Sequence, residues 1–492
     1  MHPISSASIE SLPNELLLPI LEACAAPFLF SVCKRWHHLL ATEVMPPLYR
    51  QIGKVHVPQG NVKEQALIVD RIYKLEEKLS ETAKVNAIFR HIFTLAKSLS
   101  TLEFKVQIEE KRYFTLAKYF SYLLNINRLL LWKKLPGGEE YLSREEIKHL
   151  PLEKKEELLR DWIEENCKNI TVLALSNAGL TYLPPEIGQL SQLQELDLSQ
   201  NQLTSLPAEI GQLSQLQVLH LNQNQLTALP SEIGQLSQLQ YLYLDQNQLT
   251  TLPAEIGQLS ELQVLGLGEN ELTNLLTEIG RLPQLRHLFL NQNQLTALPA
   301  EIGHLSKLHT LELNQNQLTT LPAEIGRLSQ LERLELRENQ LTALLTEIGQ
   351  LSKLHTLDLR ENQLTTLPAE IERLSQLEWF NLNQNQLTTL PAEIGRLSQL
   401  ERLELNQNQL TSLPTEIGQL SKLQYLFLNQ NQLTSLPAEI GPLSQLQLLY
   451  LNQNQLTALP VEIGQLSKLQ TLELAENPLK DIAEKIRQRF QL

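Results

Sequence analysis

The chain has 492 residues, of which 42% are hydrophobic and only 5% aromatic, and its formal net charge at pH 7 is −14. This hydrophobic content excludes a disordered chain, and the length is sufficient for more than one folding unit. The acidic balance argues against nucleic acid or an anionic membrane as a partner, and three cysteines without paired spacing predict neither a disulfide framework nor a zinc site.

The first predicted domain, residues 1–54, carries two apolar stretches. In the first stretch, Leu12, Leu16 and Ile20 recur at the spacing of one helix face. The second stretch, residues 32–40, reads VCKRWHHLL. Such apolar faces either pack into a small helical cap with its own core or bind the groove of a partner, and both interpretations stay open.

The first stretch reads LPNELLLPIL, and together with VCKRWHHLL it resembles an F-box. The resemblance implies a three-helix motif that docks onto the adaptor subunit of a cullin–RING ubiquitin ligase of the SCF type. The adaptor and the cullin are then the expected partners of this segment. The candidates for adaptor binding are the residues that match the motif: Leu12, Pro13, Leu16, Leu17, Ile20, Leu21, Val32 and Trp36.

The apolar run from Leu16 to Cys33 raises the question of a secretory leader or a membrane span. No basic residue precedes this run, Glu22 interrupts it, and Pro19 and Pro27 break it. We therefore expect no export by this route and no membrane partner. The expected location is the cytoplasm or, after secretion from another cell, the cytoplasm of a host.

Apolar residues at helical spacing continue after this motif. Ile68 and Ile72 belong to one such stripe, and residues 55–140 are assigned to a helical linker domain. Residues 141–169 form a further predicted helix, with Trp162 on its apolar face. We expect this helix to cap the repeats that follow, because a terminal repeat has no neighbour to cover its core.

Residues 170–477 repeat the phrase LxxLxLxxNxLTxLPxEIGxLSxL with a period of 23 residues, in about 14 units. Each unit begins with a short strand whose alternate leucines face one side, and they cannot be buried until a neighbouring unit stacks beside them. One asparagine recurs in each unit from Asn201 to Asn477, and a column of amides can pair with backbone groups of adjacent units. Residues 478–492 are predicted to be a helical cap at the other end.

This pattern resembles the leucine-rich repeat family. The resemblance implies an α/β solenoid, a horseshoe with parallel strands on its concave face, here preceded by an all-helical N-terminal region. Residues 169–492 hold 33 Asp and Glu against 17 Lys and Arg, whereas residues 1–168 hold 22 against 24. We therefore expect the repeats to bind a protein target with a basic or mixed surface.

Strand alternation sends the residues between the leucines to the concave face. These variable positions form two aromatic patches with a charged middle between them, and Gly266 and Gly268 predict a notch in the first patch. Aromatic and arginine side chains are enriched among the energetic anchors of interfaces, although drift at tolerant positions would give a similar pattern. The candidate target-binding residues are Tyr241, Tyr243, His287, Phe289, Arg333, Glu335, Arg337, Asp358, Arg360, Trp379, Arg402, Glu404, Tyr425, Phe427 and Tyr450.

These patterns together predict a substrate receptor of an SCF-type ubiquitin ligase, and a bacterial effector acting in a eukaryotic host fits the same organisation. The alternative is a non-catalytic scaffold or inhibitor that binds a signalling protein, because LTxLPxEIGxL also resembles intracellular leucine-rich scaffolds of the Ras-associated type. No cysteine follows Cys167, which argues against a cysteine-dependent ligase. We expect no enzyme, no catalytic residue, no metal and no cofactor.

Overall fold

The computed structural model describes residues 13–24, 27–57, 61–99, 116–150, 152–480, 482 and 484–490. The chain divides into two compact units, Met1–Leu236 and Ser237–Leu492. Within the described residues, no helix combines the length and the hydropathy needed to cross a membrane.

The described residues before the repeats are mostly helical, which confirms the predicted N-terminal helical region. Local sequence explains several of their ends: the Asn61 side chain and Glu64 form a capping box at one start, and Pro46 and Pro47 open another helix. The helices described here are α1 Asn14–Cys24, α2 Lys34–Leu39, α3 Met45–His56, α4 Val62–Ile72, α5 Glu81–Leu99, α6 Leu116–Lys134, α7 Gly138–Leu142, α8 Glu145–Lys148 and α9 Leu152–Asn166.

The repeats form a parallel sheet of 14 strands that follow one another in chain order, as the repeat pattern predicts. Each strand has three residues, and its central residue is buried: leucine in every strand except the tenth, which has Phe380. The strands are β1 Val172–Ala174, β2 Glu195–Asp197, β3 Val218–His220, β4 Tyr241–Tyr243, β5 Val264–Gly266, β6 His287–Phe289, β7 Thr310–Glu312, β8 Arg333–Glu335, β9 Thr356–Asp358, β10 Trp379–Asn381, β11 Arg402–Glu404, β12 Tyr425–Phe427, β13 Leu448–Tyr450 and β14 Thr471–Glu473.

The recurring asparagine forms the predicted ladder. In the seventh strand's repeat, Oδ1 of Asn316 accepts a hydrogen bond from the backbone N of Leu295 in the preceding repeat, over 3.0 Å. Its Nδ2 donates to the carbonyl oxygen of Leu290 at 2.9 Å and of Leu313 at 3.1 Å. One buried amide therefore satisfies backbone groups of two repeats that would otherwise be unpaired.

The repeats turn back through short 3₁₀ helices that begin after the proline of the LPxEIG phrase, or after Leu276 and Leu345 in the two repeats where leucine replaces it. At Gly211, the glycine of this phrase is explained by a close approach between repeats. A Cβ at Gly211 would lie 2.6 Å from Oε1 of Gln235 and 2.7 Å from the carbonyl oxygen of Glu232 in the next repeat. The glycine therefore has a packing role at this position, although the turn also forms with Glu372 in its place.

The first repeat has Ala178 in place of the ladder asparagine, and an asparagine on a helix outside the repeats bonds other backbone groups of this repeat. Oδ1 of Asn127 on α6 accepts hydrogen bonds from the backbone N of Thr181 at 2.9 Å and of Tyr182 at 3.2 Å. The neighbouring Arg128 makes a buried ion pair with Glu186 at 2.7 Å. Hydrogen bonds to the first repeat thus come from α6, within the predicted linker range 55–140, while α9 packs against the same repeat.

A helix also follows the last strand, α10 Glu484–Phe490. Nη2 of Arg489 donates to the carbonyl oxygen of Leu466 at 2.7 Å and of Leu469 at 2.9 Å. The Arg489 side chain on this helix therefore donates hydrogen bonds to backbone carbonyl groups near the end of the repeats.

Candidate functional site

The strand face of the second unit consists of the residues that flank the buried central residue of each strand from β4 to β14. All fifteen candidate target-binding residues lie here: thirteen within the strands, and Arg337 and Arg360 two residues beyond the ends of β8 and β9. Side chains on successive parallel strands stand about 4.8 Å apart, so residues in register form rows across this face.

The first predicted aromatic patch lies on β4 and β6. The rings of His287 and Phe289 stack at a centroid distance of 6.3 Å and an interplanar angle of 6°. Tyr243 pairs in register with Gly266, and Gly266 pairs with Phe289, so glycine separates the two aromatic residues. Burial lowers the pKa of His287, which favours its neutral form on this surface.

The notch expected at Gly266 and Gly268 is not open, because the carboxylate of Asp245 occupies it. Oδ1 of Asp245 accepts a hydrogen bond from the backbone N of Gly268 at 2.9 Å. Its Oδ2 lies 2.5 Å from the place where a Cβ of residue 266 would stand, and both glycines are buried. Asp245 was not among the candidate target-binding residues. The sequence signal for its position was the pair Gly266 and Gly268, which leaves room for a side chain from the preceding repeat.

The second aromatic patch lies on β12 and β13. Phe427 and Tyr450 meet edge to face, with ring centroids 5.1 Å apart and planes at 88°. The guanidinium of Arg402 on β11 lies over the Phe427 ring, 5.0 Å from its centroid. Tyr425 is half-buried on the same face. Cation and rings therefore form one continuous surface at this end of the second unit.

Ion pairs connect the charged residues between the two aromatic patches. Arg333 reaches Glu335 at 3.1 Å, and Arg402 reaches Glu404 at 2.5 Å. Nε of Arg360 lies 3.1 Å from Oδ2 of Asp358, at ion-pair distance but without the geometry of a hydrogen bond.

Arg337 pairs with residues outside the candidate set. It reaches Glu361 at 3.0 Å and Glu338 at 2.6 Å, each one residue before a ladder asparagine. Sequence reasoning missed these two carboxylates because they lie beyond the ends of the strands.

Charge in this middle region is layered. The side chains of Asp358 and Glu404 are 2% and 9% exposed, whereas those of Arg360 and Arg402 are 35% and 47% exposed. Burial raises the pKa of Asp358 to about 6. The carboxylates thus lie beneath the guanidinium groups. The outermost charges in the middle of this face are therefore positive, although the repeats as a whole are acidic.

A second row of asparagines follows the strands and was missed by the sequence analysis. Oδ1 of Asn291 accepts from the backbone N of Asn314 at 2.9 Å, and Oδ1 of Asn314 accepts from the backbone N of Arg337 at 2.8 Å. Arginine interrupts the row at 337 and 360, and there Asp358 caps the backbone N of Arg360 at 3.1 Å instead. The repeated phrase NQNQL, with its first asparagine, was the signal.

The adaptor-binding candidates divide into buried and exposed residues. Leu17 and Leu21 are fully buried and Trp36 is 7% exposed, so these three pack inside the chain's own helices. Pro13 is exposed, and Ile20 and Val32 are 37% and 41% exposed. Leu12 and the side chain of Leu16 lie outside the described residues.

Two features of this helical segment fix its geometry. The guanidinium of Arg35 on α2 donates from Nε to Oδ1 of Asn14 on α1 at 3.1 Å, which ties the two halves of the motif together. The thiol of Cys33 caps α2 by accepting from the backbone N of Trp36 at 3.5 Å. The indole nitrogen of Trp36 is buried without a hydrogen-bond partner, so packing alone holds this ring.

Metal and thiol chemistry find little support within the part of the chain that the structure describes. No group of three or more His, Cys, Asp or Glu residues there could hold a metal ion. Burial raises the pKa of the Cys167 thiol to about 11, which disfavours the nucleophilic thiolate.

Comparison with protein families matches the repeats. A model described as leucine-rich repeat region matches residues 165–236, 269–340, 324–412, 370–447 and 414–488, and a second, described as leucine rich repeat, matches 214–272 and 237–295. The matched ranges begin at residue 165. Among curated proteins, none matches the chain significantly.

Solved structures of other proteins are similar to about two thirds of the chain. A leucine-rich repeat protein of Leptospira interrogans is 47% identical over 66% of this chain and 83% of its own, with a TM-score of 0.62. An internalin of Listeria monocytogenes is 27% identical over 64% of this chain and 88% of its own, with a TM-score of 0.55.

A plant protein extends this similarity beyond bacteria. The plant peptide hormone receptor RGFR1, solved in complex with RGF2, is 29% identical over 67% of this chain and 62% of its own, with a TM-score of 0.51. The family models, the shared identity and the parallel strands that recur every 23 residues agree, and this chain belongs to the leucine-rich repeat family.

Proposed function

We propose that this chain is a non-catalytic binding protein that holds a protein partner on the strand face of its second unit. The observation that carries the proposal is the row of half-buried aromatic rings and exposed arginines on β4 to β13. These residue types supply most of the binding energy at interfaces, because they bury large areas and make several directed contacts. Three-residue strands in register give them a rigid support.

A similar protein supports binding on such repeats. The plant receptor RGFR1 is a receptor for a peptide hormone and was solved in complex with RGF2. We infer that the partner of this chain is a protein or an extended peptide segment. The strand face presents a long row of side chains, and such partners bind a surface without an enclosed cavity.

The test is affinity capture with the full chain followed by identification of the bound protein. One variant carries Phe427→Ser and Tyr450→Ser, and a second carries Tyr241→Ser and Phe289→Ser. The control carries Glu439→Ser on an exposed turn. We expect the captured partner to be lost by at least one strand-face variant and kept by the control. Equal capture by all of these proteins would contradict the proposal.

We further propose that the F-box-like segment joins the adaptor and cullin of an SCF ubiquitin ligase, which makes the bound partner a substrate. The exposure of Ile20 and Val32 favours this role, since these two large apolar side chains of the motif are 37% and 41% exposed. Target binding without ubiquitin transfer, as by a scaffold or inhibitor of a signalling protein, is the alternative.

A binding assay with purified adaptor and cullin distinguishes the ligase function from the scaffold function. The intact chain should bind them, and Ile20→Asp or Val32→Asp should abolish binding. Leu67→Asp is the matched control, because Leu67 is 52% exposed but lies outside the motif. Failure of the intact chain to bind the adaptor would leave the scaffold function in place.

The proposed place of action is a eukaryotic cytoplasm, reached by secretion if the chain is a bacterial effector. The similarity to proteins of Leptospira and Listeria supports a bacterial origin. Translocation of a reporter fusion into infected host cells, with a secretion-deficient strain as the control, tests this location.

A further inference from the structure

Asp245 holds an unusual position on the strand face of the second unit. It follows β4 by two residues, and its Oδ1 accepts from the backbone N of Gly268 at 2.9 Å. Its Oδ2 stands 2.5 Å from the place of a missing Cβ at Gly266, so only glycine leaves room for it. The carboxylate therefore lies against the backbone of β5, between the side chains of β4 and β6.

This carboxylate lacks a positive partner. Among the described residues, the backbone N of Gly268 is the one donor from another residue that reaches it, and no lysine or arginine lies within ion-pair distance. Burial raises the pKa of Asp245, and the nearby Glu269 acts in the same direction. By contrast, Glu335, Asp358 and Glu404 in the middle of the face all have their own arginines.

Aromatic residues stand on both sides of Asp245. Tyr243 and Phe289 are in register with Gly266 from opposite sides, so their Cα atoms are about 9.6 Å apart, or two strand spacings. Both side chains are half-buried and Asp245 is partly accessible between them. A cation attracted to the carboxylate would lie within about 6 Å of one ring or both, the range of cation–π attraction.

We propose that Asp245, Tyr243 and Phe289 form a recognition point for a lysine or arginine side chain of the protein partner. The cationic head pairs with Oδ2 of Asp245, and the aliphatic stem lies against the rings. The chain's net charge of −14 adds a general attraction for a basic segment. This inference rests on the proposed function, since it names the chemistry of the partner that the strand face takes.

The full chain is titrated with short peptides of sequence Gly-Ser-Gly-X-Gly-Ser-Gly, and saturation-transfer NMR measures the binding of each peptide. X is lysine, arginine, norleucine or glutamate. We expect the lysine and arginine peptides to bind roughly tenfold more tightly than the norleucine peptide, from one ion pair and one cation–π contact, and the glutamate peptide to bind least. Added salt should narrow this preference.

Variants locate the preference at this point. Asp245→Asn should remove the preference for the lysine and arginine peptides over the norleucine peptide. Phe289→Leu should reduce this preference several-fold and leave the thermal midpoint of the chain unchanged. Asp197→Asn is the matched control, because Asp197 ends β2 in the first unit and accepts from a backbone N, that of Ser199, at 2.9 Å, but lacks a flanking aromatic pair.

Two results would overturn the inference: equal binding of lysine and norleucine peptides, or a lysine preference that persists in Asp245→Asn. If the cation preference is absent while the strand-face variants still lose the captured partner, this inference fails and the proposed function stands. If the peptides are discriminated but no protein is captured, the recognition point stands and the proposed function fails.

Discussion

The indole nitrogen of Trp379 donates a hydrogen bond to Oε1 of Glu404 over 2.9 Å, across the boundary between β10 and β11. The same carboxylate accepts from Nδ2 of Asn383 at 2.6 Å and from Nε of Arg402 at 2.5 Å. One nearly buried side chain therefore holds three members of the strand face in fixed orientations, of which Trp379 and Arg402 are candidate partner contacts.

Replacing Glu404 with alanine should destabilise the chain by roughly 1–3 kcal/mol, because Trp379 and Asn383 lose their acceptor while Arg402 can turn to water. Chemical denaturation followed by far-UV circular dichroism measures the change. Glu439→Ala, at an exposed position, should change stability by less than about 0.5 kcal/mol. An effect at 404 as small as that at 439 would show that the three hydrogen bonds are not coupled to folding.

The asparagine ladder gives a second prediction. Asn316→Ala removes one acceptor and two donors that serve the backbone of two repeats, so we expect a loss of about 2–4 kcal/mol. Gln317→Ala, next in sequence but exposed, should have little effect. Amide hydrogen exchange should show faster exchange at Leu295 in the first variant only, and equal protection of that amide in both variants would argue against the ladder.

The residue before each ladder asparagine has a left-handed backbone, with φ of 56° at Gln407. A side chain in this region costs about 1 kcal/mol, and glycine avoids that cost. Gln407→Gly should therefore stabilise the chain by roughly 0.5–1 kcal/mol. Gln409→Gly, two residues on at an ordinary φ, should destabilise it by a similar amount, because the unfolded chain gains freedom. The thermal midpoints of the two variants should move in opposite directions.

The repeat architecture could be predicted in detail because a 23-residue period repeats the same physical requirement. Each inward position needs an apolar side chain that fits its neighbours, so leucine spacing located the strands, and the asparagine that recurs in each unit located the ladder. The positions facing outward, from Tyr241 to Tyr450, followed from alternation.

What the sequence could not predict depends on contacts between residues far apart in the chain. Asn127 reaches across 54 residues to accept a hydrogen bond from the backbone N of Thr181 in the first repeat. Asp245 fills the expected notch from a neighbouring repeat, and Trp36 turns into its own core instead of outward. No spacing rule encodes such choices, because each side chain selects among several partners only after the backbone is in place.

A buried histidine joins the helices to the repeats in the first unit. His56 on α3 is 2% exposed; its Nε2 bonds the hydroxyl of Tyr119, and its Nδ1 lies 3.4 Å from Oγ1 of Thr204. The Tyr119 hydroxyl also meets that of Tyr73 at 2.7 Å. The imidazole is therefore surrounded by neutral hydroxyl groups and has no carboxylate partner among them.

Burial lowers the pKa of His56 to about 4 from an ordinary value of 6.5. Above pH 6.5 both folded and unfolded chains are neutral at this position, so stability does not change. Between pH 6.5 and 4 only the unfolded chain binds the proton, and the free energy of unfolding should fall by roughly 3 kcal/mol. His56→Gln should flatten this part of the pH profile, whereas His38→Gln, at an exposed histidine, should preserve it. Denaturation at pH 7, 6, 5 and 4.5 measures all three proteins, and parallel profiles for wild type and His56→Gln would show that the proton enters the folded chain freely.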